Sequence, residues 1–160
     1  MDTTVMTPEK IIEELNEVLQ IDIDAVGAYT SAIDAIDELP IKQQLESFKA
    51  DHQRHIVDLK AIIEREGGKP RSMPDLKGAL RKGFTAMAGL VGCEAALKAM
   101  LSNERATNNV YAKHVQKAFP PDILDVLRRN YGDEQRHYSW IEVALRQRLW
   151  EQSGATYPTA

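Results

Sequence analysis

Apolar side chains return along this chain at steps of three and four, the period of a helix that buries one face. Ile11, Ile12, Leu15, Val18, Leu19, Val26, Tyr29, Ile33 and Ile36 form the first such stripe. Thr7 is placed to cap it, Pro8 suits the first helical position, and Glu9 favours the positive end of the helix dipole. A helix over about residues 8–37 is predicted. Leu45, Phe48, Ile56, Leu59, Ile62 and Ile63 predict a second over about 41–65, ended by Gly67-Gly68 with Pro70 beyond. Leu97, Met100, Leu101, Val110, Tyr111 and Val115 belong to a third, over about 84–118, and a fourth runs over about 122–150. Glu38-Leu39-Pro40 and Phe119-Pro120-Pro121-Asp122 are tight turns, so each joins antiparallel neighbours. Residues 67–83 are rich in Gly, Pro and basic side chains and read as a crossover, with a short helix around Leu76 to Lys82. The tail from Ser153 to Pro158 is expected to fray. The expected architecture is all-α: one domain over 1–160, an antiparallel four-helix bundle of two hairpins joined by a crossover.

Composition narrows the setting. The 160 residues suffice for one sizeable core, and 43% apolar with 28% charged is ordinary for a globular chain. A net charge of −4 argues against a general nucleic-acid surface. The single cysteine, Cys93, leaves no disulfide framework and suits a reducing cytoplasm, the expected location. The opening MDTTVMTPEK lacks the features of a signal peptide, and no apolar run is long enough for a membrane span. Cys93 is expected to be a small core residue, and Met87 and Met100 to fill gaps. His114 reads as a surface or interhelix histidine with no partner at matching spacing. Lys69, Arg71, Lys77, Arg81 and Lys82 read as a solvated strip.

The chemistry emerges from an internal repeat. Shifted by 82 residues, the two hairpins align: Leu19 falls on Leu101, Tyr29 on Tyr111, Asp51 on Asp133, Arg54 on Arg136 and His55 on His137. Asp22 falls on Glu104, and His52 on Glu134. His52 and His55 are three apart on a helix, as are Glu134 and His137, so each pair shares a face. Asp22 precedes Pro40 by 18 residues and His55 follows it by 15, which sets them level in an antiparallel hairpin. The same reasoning applies to Glu104 with Glu134 and His137. Asp22, His52, His55, Glu104, Glu134 and His137 are therefore expected to meet at mid-bundle. Such a cluster is costly to bury unless paired or neutralised by metal. It reads as a metal site, or else as residues that face water or form a core network with Arg54 and Arg136.

The stretch from Arg129 to Glu142, with Asp133-Glu134-Gln135-Arg136-His137 and then Trp140-Ile141-Glu142, closely resembles the fourth helix of bacterioferritins. With the repeat, it marks a resemblance to the ferritin-like superfamily, which includes ferritins, bacterioferritins and rubrerythrins. Gly67-Gly68-Lys69-Pro70 and Leu80-Arg81-Lys82-Gly83 resemble a smaller bacterial ferritin-like family of unassigned function. The resemblance runs from about Pro8 to Trp150 and implies a ferritin-like bundle. It implies that Glu104 is a terminal carboxylate, Glu134 a bridging one, His137 and His55 the terminal imidazoles, and Asp22 the first-helix carboxylate, one methylene short. It makes Asp51 and Asp133 the carboxylates that orient the histidines. Tyr29 resembles a tyrosine near the bacterioferritin metal centre, with aromatic core packing an equal reading; Tyr111 is its repeat mate.

Iron, as one or two ions, is the implied metal, with zinc or manganese as alternatives, and oxidoreductase chemistry on oxygen or peroxide is the implied activity. His52 departs from the pattern, standing where the family has a bridging glutamate. Four carboxylates balance two divalent ions; three do not, so one well-held ion and a weaker or absent second are expected. Imidazole enrichment suits zinc, copper or ferrous iron better than magnesium or calcium. The alternative function is a non-catalytic structural or binding bundle holding zinc or no metal, so enzyme status stays open. No CxxC pair is present, so electrons would come from a separate donor. A homodimer stays open, whereas a 24-subunit cage is not expected, because only about ten residues follow Trp150.

Overall fold

In the computed structural model, residues 5–152 are described. The MDTT opening and the Ser153–Pro158 tail lie outside them. Among the described residues there are five α-helices: α1 (Pro8–Asp34), α2 (Leu39–Arg65), the short α3 (Leu76–Arg81), α4 (Cys93–His114) and α5 (Pro121–Gln147). A 3-10 turn, Leu149–Glu151, follows. No strand is present among the described residues. No helix among them is long and apolar enough to cross a membrane.

Sequence chemistry sets the helix ends. The Thr7 hydroxyl accepts the Lys10 N–H at 3.3 Å, and Pro8 stands in the first turn, where a missing N–H costs nothing. The α1–α2 turn lies a few residues earlier than predicted. α1 ends at Asp34 instead of 37, and α2 starts at Leu39, because Pro40 fits inside its first turn. At the end of α2 the Gly67 N–H donates to the Glu64 carbonyl and the Gly68 N–H to that of Ile63. This closure requires a left-handed residue, and Gly67 supplies φ 85°. Gly68 has a different reason: a Cβ there would come within 2.6 Å of the Ile12 side chain.

The largest departure from the predicted boundaries is the third long helix. It begins at Cys93, not at 84. Gly83, Gly89 and Gly92 all adopt positive φ, which interrupts any helix through this stretch. Phe84 and Met87 have helical spacing, yet they reach the core from irregular backbone. α4 also stops at His114 rather than 118, and α5 ends at Gln147 rather than 150, where Arg148 turns left-handed at φ 50°.

α1 packs on α2 and α4 on α5, while α1 lies along α4. Tyr29 meets Glu104, and Tyr111 meets Asp22, so α1 and α4 run antiparallel. α4 must therefore start at the end of the bundle opposite to where α2 finishes, and the crossover travels its length. One stripe of α1 guides it. Asn16 accepts from the Arg71 N–H and donates to the Lys69 carbonyl, Gln20 donates to the Met73 carbonyl, and Asp24 accepts from the Asp75 N–H. These three residues are spaced by four, so they form one face.

Two apolar clusters fill the interior. One gathers Ile33, Ile41, Phe48, Leu97, Trp140 and Ile141; the other gathers Leu15, Leu19, Leu59, Ile63, Ile123 and Leu127. The ionisable layer lies between them.

Gly67→Ala is expected to lower the unfolding free energy by about 1–2 kcal/mol, through the left-handed backbone it forces on a Cβ. Asn16→Ala removes the partners of two crossover backbone groups and is expected to cost about 1–3 kcal/mol. Urea unfolding followed by circular dichroism measures both, and unchanged midpoints would contradict the roles given to these residues.

Candidate metal centre

All six residues of the expected cluster come together. Asp22 (α1), His52 and His55 (α2), Glu104 (α4), and Glu134 and His137 (α5) are each at most 1% exposed. His52 sits at the middle: Nδ1 lies 2.8 Å from Asp22 Oδ1 and Nε2 lies 3.4 Å from Glu104 Oε1. Glu134 Oε1 is 3.4 Å from His52 Nδ1 and 3.2 Å from His55 Nδ1. His55 Nδ1 is also 3.3 Å from Asp22 Oδ1. On the other side, His137 Nδ1 is 3.7 Å from Glu104 Oε1 and 3.9 Å from Glu134 Oε2.

An outer layer fixes the rings. His55 Nε2 meets Asp133 Oδ2 at 2.9 Å, and His137 Nε2 meets Asp51 Oδ2 at 2.9 Å. Each aspartate comes from the hairpin opposite to its histidine. With Nε2–H donating outward, Nδ1 is the ring atom that faces the centre. Arg136 donates to Asp51 at 2.6 Å and to Asp133 at 3.1 Å; Arg54 donates to Asp51 at 2.9 Å and also to Asp133. The two arginines thus hold the aspartates in a ring joining α2 and α5. They reach the central cluster through Asp51 and Asp133, without touching it directly.

The tyrosines cross between halves as well. The Tyr111 hydroxyl donates to Asp22 Oδ2 at 2.6 Å, and Tyr29 donates to Glu104 Oε1. Phe48 covers the His137 ring, with centroids 4.3 Å apart, and Trp140 meets Phe48 edge-on. Glu142, the last residue of the resembling stretch, faces outward and pairs loosely with Arg146.

Electrostatics follow from burial and proximity. Burial pushes the Asp22 carboxyl up, but hydrogen bonds from His52 and His55 outweigh it and hold the pKa below the ordinary value. Glu104 is likewise held well down by His137 and His52 against the burial penalty. Glu134 goes the other way: burial and the neighbouring Glu104 charge push it up to about 7, despite His52. Burial disfavours the charged form of His55, yet Asp22 and Glu134 raise it to about 10. His52 is also raised, the surrounding carboxylates overcoming burial. Burial and the Glu104 charge drive the Tyr29 hydroxyl up, so it stays a donor.

Within the mid-bundle cluster the hydrogen bonding is incomplete. Glu104 Oε2, both oxygens of Glu134 and Nδ1 of His137 are buried and make no hydrogen bond. Buried carboxylate and imidazole atoms without partners are rare in folded proteins. Their chemistry, carboxylate oxygen and imidazole nitrogen, is that of ligands to a first-row metal ion. Two overlapping groups bring such atoms within 4.8 Å of one another: Asp22, His52, His55, Glu134 and His52, Glu104, Glu134, His137. The donor set therefore fits a metal. Ferritin-like metal-binding bundles present buried carboxylates and histidines in this manner.

Of the two readings of His114, the interhelix one holds: it is 1% exposed, and its Nε2 lies beside α1, 3.0 Å from Glu14 and 3.5 Å from Glu17. Both glutamates are about a hundred residues away, so no local spacing reveals the contact. The available signal was Glu14 itself, which falls three residues after Ile11 and four before Val18, on the apolar stripe. Cys93 is buried as expected, and burial pushes its thiol up to about 12, into an unreactive range.

No protein of curated function matches the sequence. Among solved structures, it is similar to a two-domain protein from Anabaena variabilis containing DJ-1/ThiJ/PfpI-like and ferritin-like domains. The TM-score is 0.76 at 16% identity, over 98% of this chain and 42% of that one. This chain thus spans less than half of that protein, and at such identity the likeness shows the fold alone. A family model described as "Domain of unknown function (DUF2383)" matches residues 10–140. The chain belongs to that family, and its fold is that of the ferritin-like helical bundle.

Proposed function

We propose that the mid-bundle cluster binds iron, as one or two ions, and supports oxidoreductase chemistry on oxygen or peroxide. Glu104, Glu134, His137 and His55 are the principal ligands, with Asp22 and His52 completing the set. The observation carrying this reading is the group of unpartnered buried atoms on Glu104, Glu134 and His137. Bound iron would supply the one-electron steps that amino-acid side chains cannot.

The chain's own residues supply the rest. Asp133 and Asp51 fix the tautomers of His55 and His137, so that Nδ1 faces inward. Tyr111 and Tyr29 each occupy one carboxylate oxygen, of Asp22 and Glu104, and so limit how those groups turn. The apolar clusters on either side keep the layer at low dielectric, where charge interactions are strong. The 160 residues hold one cysteine, so a thiolate-bound iron centre supplying electrons would lie outside them.

His52 favours a second reading, a non-catalytic bundle holding zinc or no metal. Its Nδ1 is already paired with Asp22 at 2.8 Å, and its imidazole supplies no negative charge to balance a second ion.

Anaerobic equilibrium dialysis against ferrous iron tests the ligand set. Binding of one or two ions per chain is expected, with Glu134→Ala abolishing tight binding and Asp133→Asn weakening it by about 10–100-fold. Equal binding by wild type and Glu134→Ala would overturn the site. Oxygen or peroxide consumption by the iron-loaded protein separates the two readings. Turnover is expected; one zinc per chain as isolated, with no consumption after iron loading, would favour the second.

A further inference from the structure

A second polar cluster lies near the end of the bundle where α1 begins and α4 finishes. His114, the last residue of α4, donates from Nδ1 to the Val110 carbonyl at 2.7 Å. That bond leaves Nε2 as the atom facing the cluster. Nε2 is buried, makes no hydrogen bond, and lies 3.0 Å from Glu14 Oε2 and 3.5 Å from Glu17 Oε2. Burial holds the imidazole pKa below its ordinary value, which favours a bare Nε2 lone pair. Burial pushes Glu14 up, but hydrogen bonds from Lys117 and Lys10 outweigh it and hold the carboxyl at about 2. Two acceptors, an imidazole nitrogen and a carboxylate oxygen, therefore face each other, and the Glu17 side chain, 41% exposed, opens the group to solvent.

The internal repeat shows that the fold does not need these groups. Shifted by 82, Glu14 falls on Ala96, Glu17 on Ala99 and His114 on Ala32. All three alanines are buried. At the repeat-related positions the other half has only these buried alanines, so the polar trio is confined to one half.

We propose that Glu14, Glu17 and His114 form a second metal site, separate from the mid-bundle centre, for one divalent first-row ion of the zinc type. One imidazole and two carboxylates are donors such an ion accepts, and the two negative charges match its own. Ligand atoms about 2.1 Å from one tetrahedral ion lie about 3.4 Å apart, close to the 3.0 Å and 3.5 Å that separate His114 Nε2 from Glu14 Oε2 and Glu17 Oε2. Lys117, which holds Glu14 Oε2 in the metal-free protein, is partly exposed on a flexible stem and swings into water as the ion enters. It acts as a competing cation.

The test is equilibrium dialysis of the full-length protein against zinc chloride, with bound zinc counted by elemental analysis. It is paired with nitrogen NMR of the histidine side chains. His114→Gln is expected to bind one zinc fewer than wild type, and zinc is expected to shift the wild-type His114 Nε2 resonance while Nδ1 stays bonded to Val110. Glu17→Gln changes a half-exposed side chain and leaves the core intact; it is expected to weaken that zinc by about tenfold or more. Lys117→Gln is expected to tighten it by about fivefold, the worth of the ion pair removed. Wild-type stoichiometry and affinity in His114→Gln and Glu17→Gln, or no tightening in Lys117→Gln, would overturn the proposal and leave an internal ion-pair network.

Discussion

Burying six ionisable side chains in one layer is the constraint on which this structure depends. Each ionised group withdrawn from water costs several kcal/mol unless something nearby replaces the solvent. The bundle supplies replacements in a fixed order. Asp51 and Asp133 take the outer histidine nitrogens, Tyr29 and Tyr111 take one carboxylate oxygen each, and Arg54 and Arg136 close the ring around the aspartates. What this order leaves unpaired is concentrated on Glu104, Glu134 and His137. These three residues bring ligand atoms within 4.8 Å of one another, so a single cation would satisfy them together.

The stabilising contacts come as pairs related by the 82-residue repeat. Tyr29 with Glu104 mirrors Tyr111 with Asp22, and His55 with Asp133 mirrors His137 with Asp51. Every one of these contacts crosses between the hairpins, so the layer also joins the two halves. Symmetry breaks at several places, two of which bear on the ionisable clusters. At the centre His52 stands opposite Glu134, and Glu134 is the carboxylate whose pKa rises, to about 7. Near one end of the bundle Glu14, Glu17 and His114 stand opposite three alanines. A fold built from two similar hairpins requires neither difference, which makes both informative about chemistry.

The sequence was legible where a periodic signal and a turn acted together. The tight turn at Pro40 placed Asp22 level with His52 and His55, and the repeat carried that reading to Glu104, Glu134 and His137. It was less legible where tertiary packing overrides local pattern. Phe84 and Met87 carry helical spacing, yet positive-φ glycines on both sides keep them out of a helix and delay α4 to Cys93. The partners of His114 lie in the opposite hairpin, beyond the reach of any local motif. The arginines were visible, but only the folded geometry shows them gripping Asp51 and Asp133 instead of the central cluster.

The central claim is that the unpartnered atoms at mid-bundle are metal ligands. Diffraction from metal-loaded crystals, with anomalous data at the iron and zinc edges, tests it most directly. The account predicts an anomalous peak enclosed by Glu104, Glu134 and His137, with His52 and Asp22 within reach of the same centre. Fully loaded crystals showing no peak in that layer, and ordered water or direct hydrogen bonds on Glu134 and His137 instead, would contradict it.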